Sequence, residues 1–199
     1  MKLLQNMQYI DPTCVTWDAP KGSVVDGASI PRFAWSIIGG PFEGKYRNAS
    51  VIHDVACDLK QKPWESVHEV FYNGMIASGV NSVTAKIMYA AVYHFGPRWP
   101  RISTARVKTR DVQSRIEESR REAPPDSTVT TSVQQIARSF PDMILRREEQ
   151  SAVTVTVIPP SANLNTEDFE KLRRMIEERE PTAAGSMTLE EIRTYRPQP

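Results

Sequence analysis

The sequence predicts an α+β fold. A small N-terminal domain has short antiparallel strands and three helices, and an extended C-terminal arm adds one strand and short amphipathic helices. Three observations predict this. Short β-branched runs bounded by turn residues stand before residue 26. Three apolar stripes at helical spacing follow between residues 46 and 95. A strictly alternating run, Ala152–Ile158, stands alone in the C-terminal half.

Thr13–Trp17 reads as the first strand and Gly22–Val25 as the second, with Asp18–Lys21 turning between them. The first helix spans Tyr46 to Leu59, with Ala49, Ile52, Ala56 and Leu59 on one face. The second begins near Trp64, ends at Gly79 and buries Val67, Val70, Phe71 and Met75. Asn81 or Ser82 caps the third, which is lined by Val83, Ile87, Ala90, Ala91 and Phe95 and stopped by Gly96-Pro97. Arg101–Glu122 reads as one long exposed helix, because Val107, Val112 and Ile116 are too few for a packed face. Pro124-Pro125 breaks it, and Val133–Phe140 reads as a short helix. Thr166–Arg179 is an amphipathic helix with Phe169, Leu172 and Ile176 on one face, and Thr188–Glu191 matches a capping box.

The two halves differ in what they can bury. All four Trp, all three His and 13 of the 16 aromatic residues precede residue 101, whereas 32 of the 49 charges lie in residues 101–199. The boundary therefore falls near Pro100, giving domains 1–100 and 101–199. The second has too few large apolar groups to offset its chain entropy and is expected to order on a partner. An isolated strand is unstable, so Ala152–Ile158 is expected to pair with another chain or with the first domain. The partner-facing residues are then Val153, Val155, Val157, Phe169, Leu172 and Ile176.

A net charge of +1 argues against a nucleic-acid partner held by bulk electrostatics. No apolar run reaches membrane-spanning length, and the first residues lack the apolar stretch of a secretory signal. Folding in a cytoplasm is expected, with Cys14 and Cys57 as thiols.

The chemistry-bearing residues gather on the first two helices. His53 and Asp54 are adjacent in one helix and point about 100° apart, so they cannot bond each other. His53 suits a base, and Asp54 a ligand for a hard cation completed by Gly39 and Gly40 carbonyls. Cys57 lies one turn after His53 on the same face. His68 approaches His53 if the helices pack antiparallel, and the set His53, Asp54 and His68 is also an acceptable transition-metal donor group. The competing reading of His53 is a hydrogen-bonded structural residue. His94 reads as an exposed cation at a helix C-terminus. Asp26 and Ser29 suit a strand exit in which side chains satisfy turn amides.

Asp26-Gly27-Ala28-Ser29-Ile30-Pro31, His53-Asp54-Val55-Ala56-Cys57, His68-Glu69-Val70-Phe71 and Phe95-Gly96-Pro97-Arg98-Trp99 occur in an order similar to the phage- and bacteria-encoded DUF1353 family. The resemblance covers roughly residues 10–100 and carries no implied activity. Cys57 stands where that pattern prefers Tyr, and His68 where it prefers Asp. The His-Asp pair after a glycine loop also resembles secreted phospholipases of the A2 type over about 20 residues. That likeness implies His53 as base, Asp54 with Gly39 and Gly40 on calcium, and an orienting Asp on the next helix, at the place where this chain has His68.

Two functions follow as expectations. One is a bacteriophage virion-associated structural protein of the tail or neck region, without cofactor. It is made in the host cytoplasm and docks through its C-terminal arm on other virion proteins or copies of itself. The alternative is a His-dependent, calcium-aided hydrolase of phospholipid or cell-envelope material.

Overall fold

A computed structural model describes residues 1–26, 44–124, 126–136, 150–160, 164–179 and 185–197. Its elements in chain order are β1 (Met7–Ile10), β2 (Thr16–Ala19), α1 (Arg47–Leu59), α2 (Trp64–Ala77), α3 (Ser82–Phe95), β3 (Arg101–Lys108), α4 (Val112–Arg121), β4 (Thr128–Gln135), β5 (Gln150–Ile158), α5 (Thr166–Arg179) and α6 (Leu189–Thr194). The class is α+β, as expected. Two compact units form: Met1–Arg98 with Ala162–Pro199, and Trp99–Ser161. The division therefore differs from a boundary at Pro100, because the last segment joins the N-terminal unit.

In the first unit β1 and β2 pair antiparallel, with Met7 opposite Ala19 and Ile10 opposite Thr16. The strand begins later than Thr13 because Asp11 takes the preceding amides. Its carboxylate accepts from the backbone N–H of Thr13 and Val15 and from Trp17 Nε1. Gly22–Val25 forms only a single bridge, Lys2 to Val24, rather than a full strand.

The helices α1 and α2 pack antiparallel, since Ala49 meets Gly74 at one end and His53 meets His68 at the other. A Cβ on Gly74 would lie 3.1 Å from Ala49 Cβ, so glycine sets how closely the two helices approach. Leu59 is exposed, and the buried face of α1 turns instead through Ser50, His53, Asp54 and Cys57. The Asn81 side chain caps α3 by accepting from the Thr84 N–H at 2.9 Å. At the other end Arg98 Nη2 donates to the carbonyls of Tyr93 and His94.

Helices α5 and α6 lie on α3. Phe169 of α5 meets Phe95 edge-on at 5.7 Å, and Arg193 of α6 donates to the Tyr89 hydroxyl and to Glu69. Phe169, Leu172 and Ile176 are therefore interior to the first unit, which corrects their expected place on a partner-facing surface. Their stripe and the face of α3 that it covers are both apolar, and burial of each against the other removes both from water. His94 is corrected too: it is buried, and its Nε2 donates to the Ile192 carbonyl at 2.8 Å.

The second unit is a three-stranded sheet in the order β3-β5-β4, with both outer strands antiparallel to β5. The outer strands thus run parallel, joined through α4 with β5 between them, a split β-α-β. Val153, Val155 and Val157 are buried with Ile116 of α4. They face their own unit, so their expected partner role is corrected, and β5 finds its partners within the chain. Arg101–Glu122 is not one helix, because its first eight residues pair with β5. Val133–Gln135 likewise belongs to a strand, while 137–140 lies outside the described residues. Among the described residues no helix is long and apolar enough to cross a membrane.

Candidate functional site

His53 and Cys57 are one turn apart on α1, so both face α2, and α2 presents His68 to them. His53 Nε2 lies 2.9 Å from His68 Nδ1, and Cys57 Sγ lies 3.6 Å from the same His53 nitrogen. All three side chains are buried. The three ligand-capable atoms lie within 4.8 Å of one another. Apolar rings surround the pair: Phe71 stands 4.9 Å from His53, and Trp64 meets His68 edge-on at 5.6 Å.

The hydrogen bonds fix the protons. His68 Nε2 sits 3.2 Å from the Pro97 carbonyl, which can only accept, so this nitrogen carries the hydrogen. Burial pushes the pKa of His68 well down, and the neighbouring His53 and Arg98 lower it further. In the neutral ring Nδ1 is then a lone pair, and His53 Nε2 donates to it. Burial also pushes His53 down, to about 3. Its Nδ1 is buried with no hydrogen-bond partner. The result is a one-way chain of neutral donors running from His53 through His68 to Pro97.

Gly96 makes this chain possible. A Cβ at Gly96 would lie 3.0 Å from His68 Cε1 and 2.2 Å from the Val92 carbonyl oxygen. Only glycine lets the turn after α3 close on the ring and deliver the Pro97 carbonyl to it. The Phe95-Gly96-Pro97 run read as a helix stop, and its role as a support for His68 was not visible in spacing.

The expected approach of His68 to His53 is therefore present. Asp54 is buried but lies outside this cluster, one step round the helix. Cys57 takes the place that Asp54 held in the expected transition-metal set. Gly39 and Gly40, with Gly27–Pro31 including Ser29, lie outside the described residues. Asp26 is exposed.

The described parts define an α+β protein whose helical unit holds a sealed, neutral imidazole pair. Residues 1–92 match the family model described as "Protein of unknown function (DUF1353)", the family that the motifs of this region resemble. It is 38% identical over 196 residues to the uncharacterized protein y4jT of Sinorhizobium fredii, a match covering 97% of this chain and 54% of that protein. It is 44% identical over 99 residues to the uncharacterized protein y4iH of the same organism, covering 49% of this chain and 41% of that protein. The chain spans about half the length of the curated relatives it matches. No solved structure matches. The likeness to secreted phospholipases is not borne out: the matching family is DUF1353, and His53 meets an imidazole where that likeness implies an orienting carboxylate.

Proposed function

We propose that this protein is a non-catalytic, virion-associated structural component of a bacteriophage, in the tail or neck region, that docks on neighbouring subunits through the sheet of its C-terminal half. The observation that carries the reading is the strand order β3-β5-β4. Among the described residues it gives β3 and β4 one unpaired edge each, and such edges accept strands from other chains. Ile102 on β3 and Val133 on β4 are exposed apolar residues on these strands. The partners are other virion proteins or further copies of this chain. The virion setting rests on the resemblance to a family found in phage genomes.

The sealed histidine pair supports a structural role over the hydrolase alternative. A general base must be within hydrogen-bond reach of its substrate's proton, and His53 is enclosed and hydrogen-bonded to His68. The test is incorporation into particles. Ile102→Lys with Val133→Lys places charge on both edge strands. The doubly substituted protein should fold, as judged by circular dichroism, and be lost from purified particles that contain the wild-type protein. Unchanged incorporation would sink the reading. So would calcium-stimulated phospholipid hydrolysis by the purified protein that disappears in His53→Ala.

A further inference from the structure

We infer that His53 Nε2, Cys57 Sγ and His68 Nδ1 form a binding site for a divalent transition-metal ion of the zinc class, held between α1 and α2. The inference stands apart from the docking reading, since a metal here would pin helices together whatever the sheet binds.

The donor types come first. Imidazole nitrogen and thiolate sulfur are the atoms that zinc-class ions select, and a hard ion such as calcium selects oxygen. The spacing comes second. Tetrahedral zinc with ordinary bond lengths sets a sulfur and a nitrogen ligand about 3.6 Å apart and two nitrogens about 3.4 Å apart. Cys57 Sγ and His53 Nε2 are already 3.6 Å apart. The two nitrogens, at 2.9 Å, need to part by about half an ångström, and Cys57 Sγ and His68 Nδ1, which lie within 4.8 Å, need to come to about 3.6 Å, both by rotation of the side chains. His53 and Cys57 are an i, i+4 pair on one helix face, so α1 delivers two ligands without distortion.

The support around the ligands comes third. A metal-bound histidine ordinarily donates its other ring N–H to a carbonyl or carboxylate, which fixes the tautomer. His68 already does this through Nε2 to Pro97, leaving Nδ1 turned toward His53 and Cys57. His53 is free to supply its Nε2 lone pair by moving the ring proton to Nδ1. That atom has no hydrogen-bond partner to lose. The proton balance is then simple. One proton leaves the Cys57 thiol for solvent, the His53 proton moves within its own ring, and no oxidant or reductant is involved. These three residues occupy three positions of a tetrahedral ion, and a further ligand completes the fourth.

The site is enclosed, so the ion enters as the chain folds. The experiment therefore uses the full chain expressed with zinc and purified without chelator, and the same chain unfolded and refolded with cobalt(II). Elemental analysis should find about one zinc per chain. The cobalt form should show a thiolate-to-cobalt charge-transfer band and the intense visible bands of a tetrahedral ion. Cys57→Ser should abolish the charge-transfer band and weaken metal retention by about tenfold or more, while circular dichroism shows the fold intact. Cys14→Ser removes the other cysteine, which is exposed, and should leave band and stoichiometry unchanged. If the Cys57 variant does not fold, His68→Asn serves the same purpose, with loss of the tetrahedral visible bands as its readout. Absence of bound zinc together with absence of the cobalt band overturns the inference. So does a band that survives Cys57→Ser or is lost with Cys14→Ser.

Discussion

The helical unit and the sheet unit solve the same problem with different materials. The sheet unit buries Val153, Val155 and Val157 against Ile116, an aliphatic interior with no titratable group among them. The helical unit buries a larger, aromatic interior and places His53, His68 and His94 inside it. An aliphatic core responds to lost volume in graded steps. A core built around a hydrogen-bonded imidazole pair responds sharply to anything that disturbs one geometry or one proton. The comparison also shows where the C-terminal segment belongs. Its sheet strands form a unit of their own, while α5 and α6 complete the helical one.

The largest expected effect tests that last point. Phe169→Ala removes a fully buried ring that meets Phe95, and should cost about 3–5 kcal/mol of stability in urea unfolding. A cost near zero would show that α5 does not stabilise the helical unit. Next, Gly96→Ala should cost about 3 kcal/mol, since the new Cβ strikes the Val92 carbonyl and presses on His68. Its signature beyond lost stability is a changed imidazole environment of His68, read by nuclear magnetic resonance of the ring nitrogens.

A third test separates the units by pH, in chain freed of metal by refolding with chelator. Burial lowers all three histidines from the ordinary value of 6.5, with His94 at about 4 under the added influence of Arg98 and Arg196. Below about pH 6.5 the unfolded chain then binds more protons than the folded one, so stability falls as pH drops, down to about 4 for His94. The slope contributed by each histidine reaches about 1.4 kcal/mol per pH unit in the middle of that window, and fades to near zero by about pH 8. Amide exchange, corrected for its intrinsic pH dependence, should show α1 and α3 losing protection on acidification. The sheet unit contains no histidine, and β5 should change far less. Equal losses in both would break the comparison. The smallest effect is at α6, where Thr188→Ala removes a complete capping box and should cost about 1 kcal/mol.

Legibility in the sequence followed the range of the interactions. The helices α1, α2, α3, α5 and α6 were readable because their signals are local: apolar stripes at helical spacing, the Asn81 cap and the Thr188–Glu191 box. The sheet was half readable. β5 announced itself by strict alternation, but β3 is rich in Arg and Lys and β4 in Thr, Ser and Gln, and each is a strand because β5 lies beside it. The candidate site divided the same way. The neighbours of His53, Cys57 and His68, followed from helix spacing and the short connection between the helices, while the Pro97 carbonyl did not, because it arrives from a turn 29 residues beyond His68.

The sequence by itself determined the α+β class, the five helices with strong local signals and the match of the N-terminal region to the DUF1353 model. Only the tertiary structure decided what β5 pairs with, which unit the last two helices complete, and that His53 meets His68 and Cys57 in an enclosed, uncharged pocket of side chains. The physical reason is that a helix stripe or a cap is written in residues three or four apart. Strand partners, burial and the direction of a hydrogen bond depend on what the rest of the chain brings alongside.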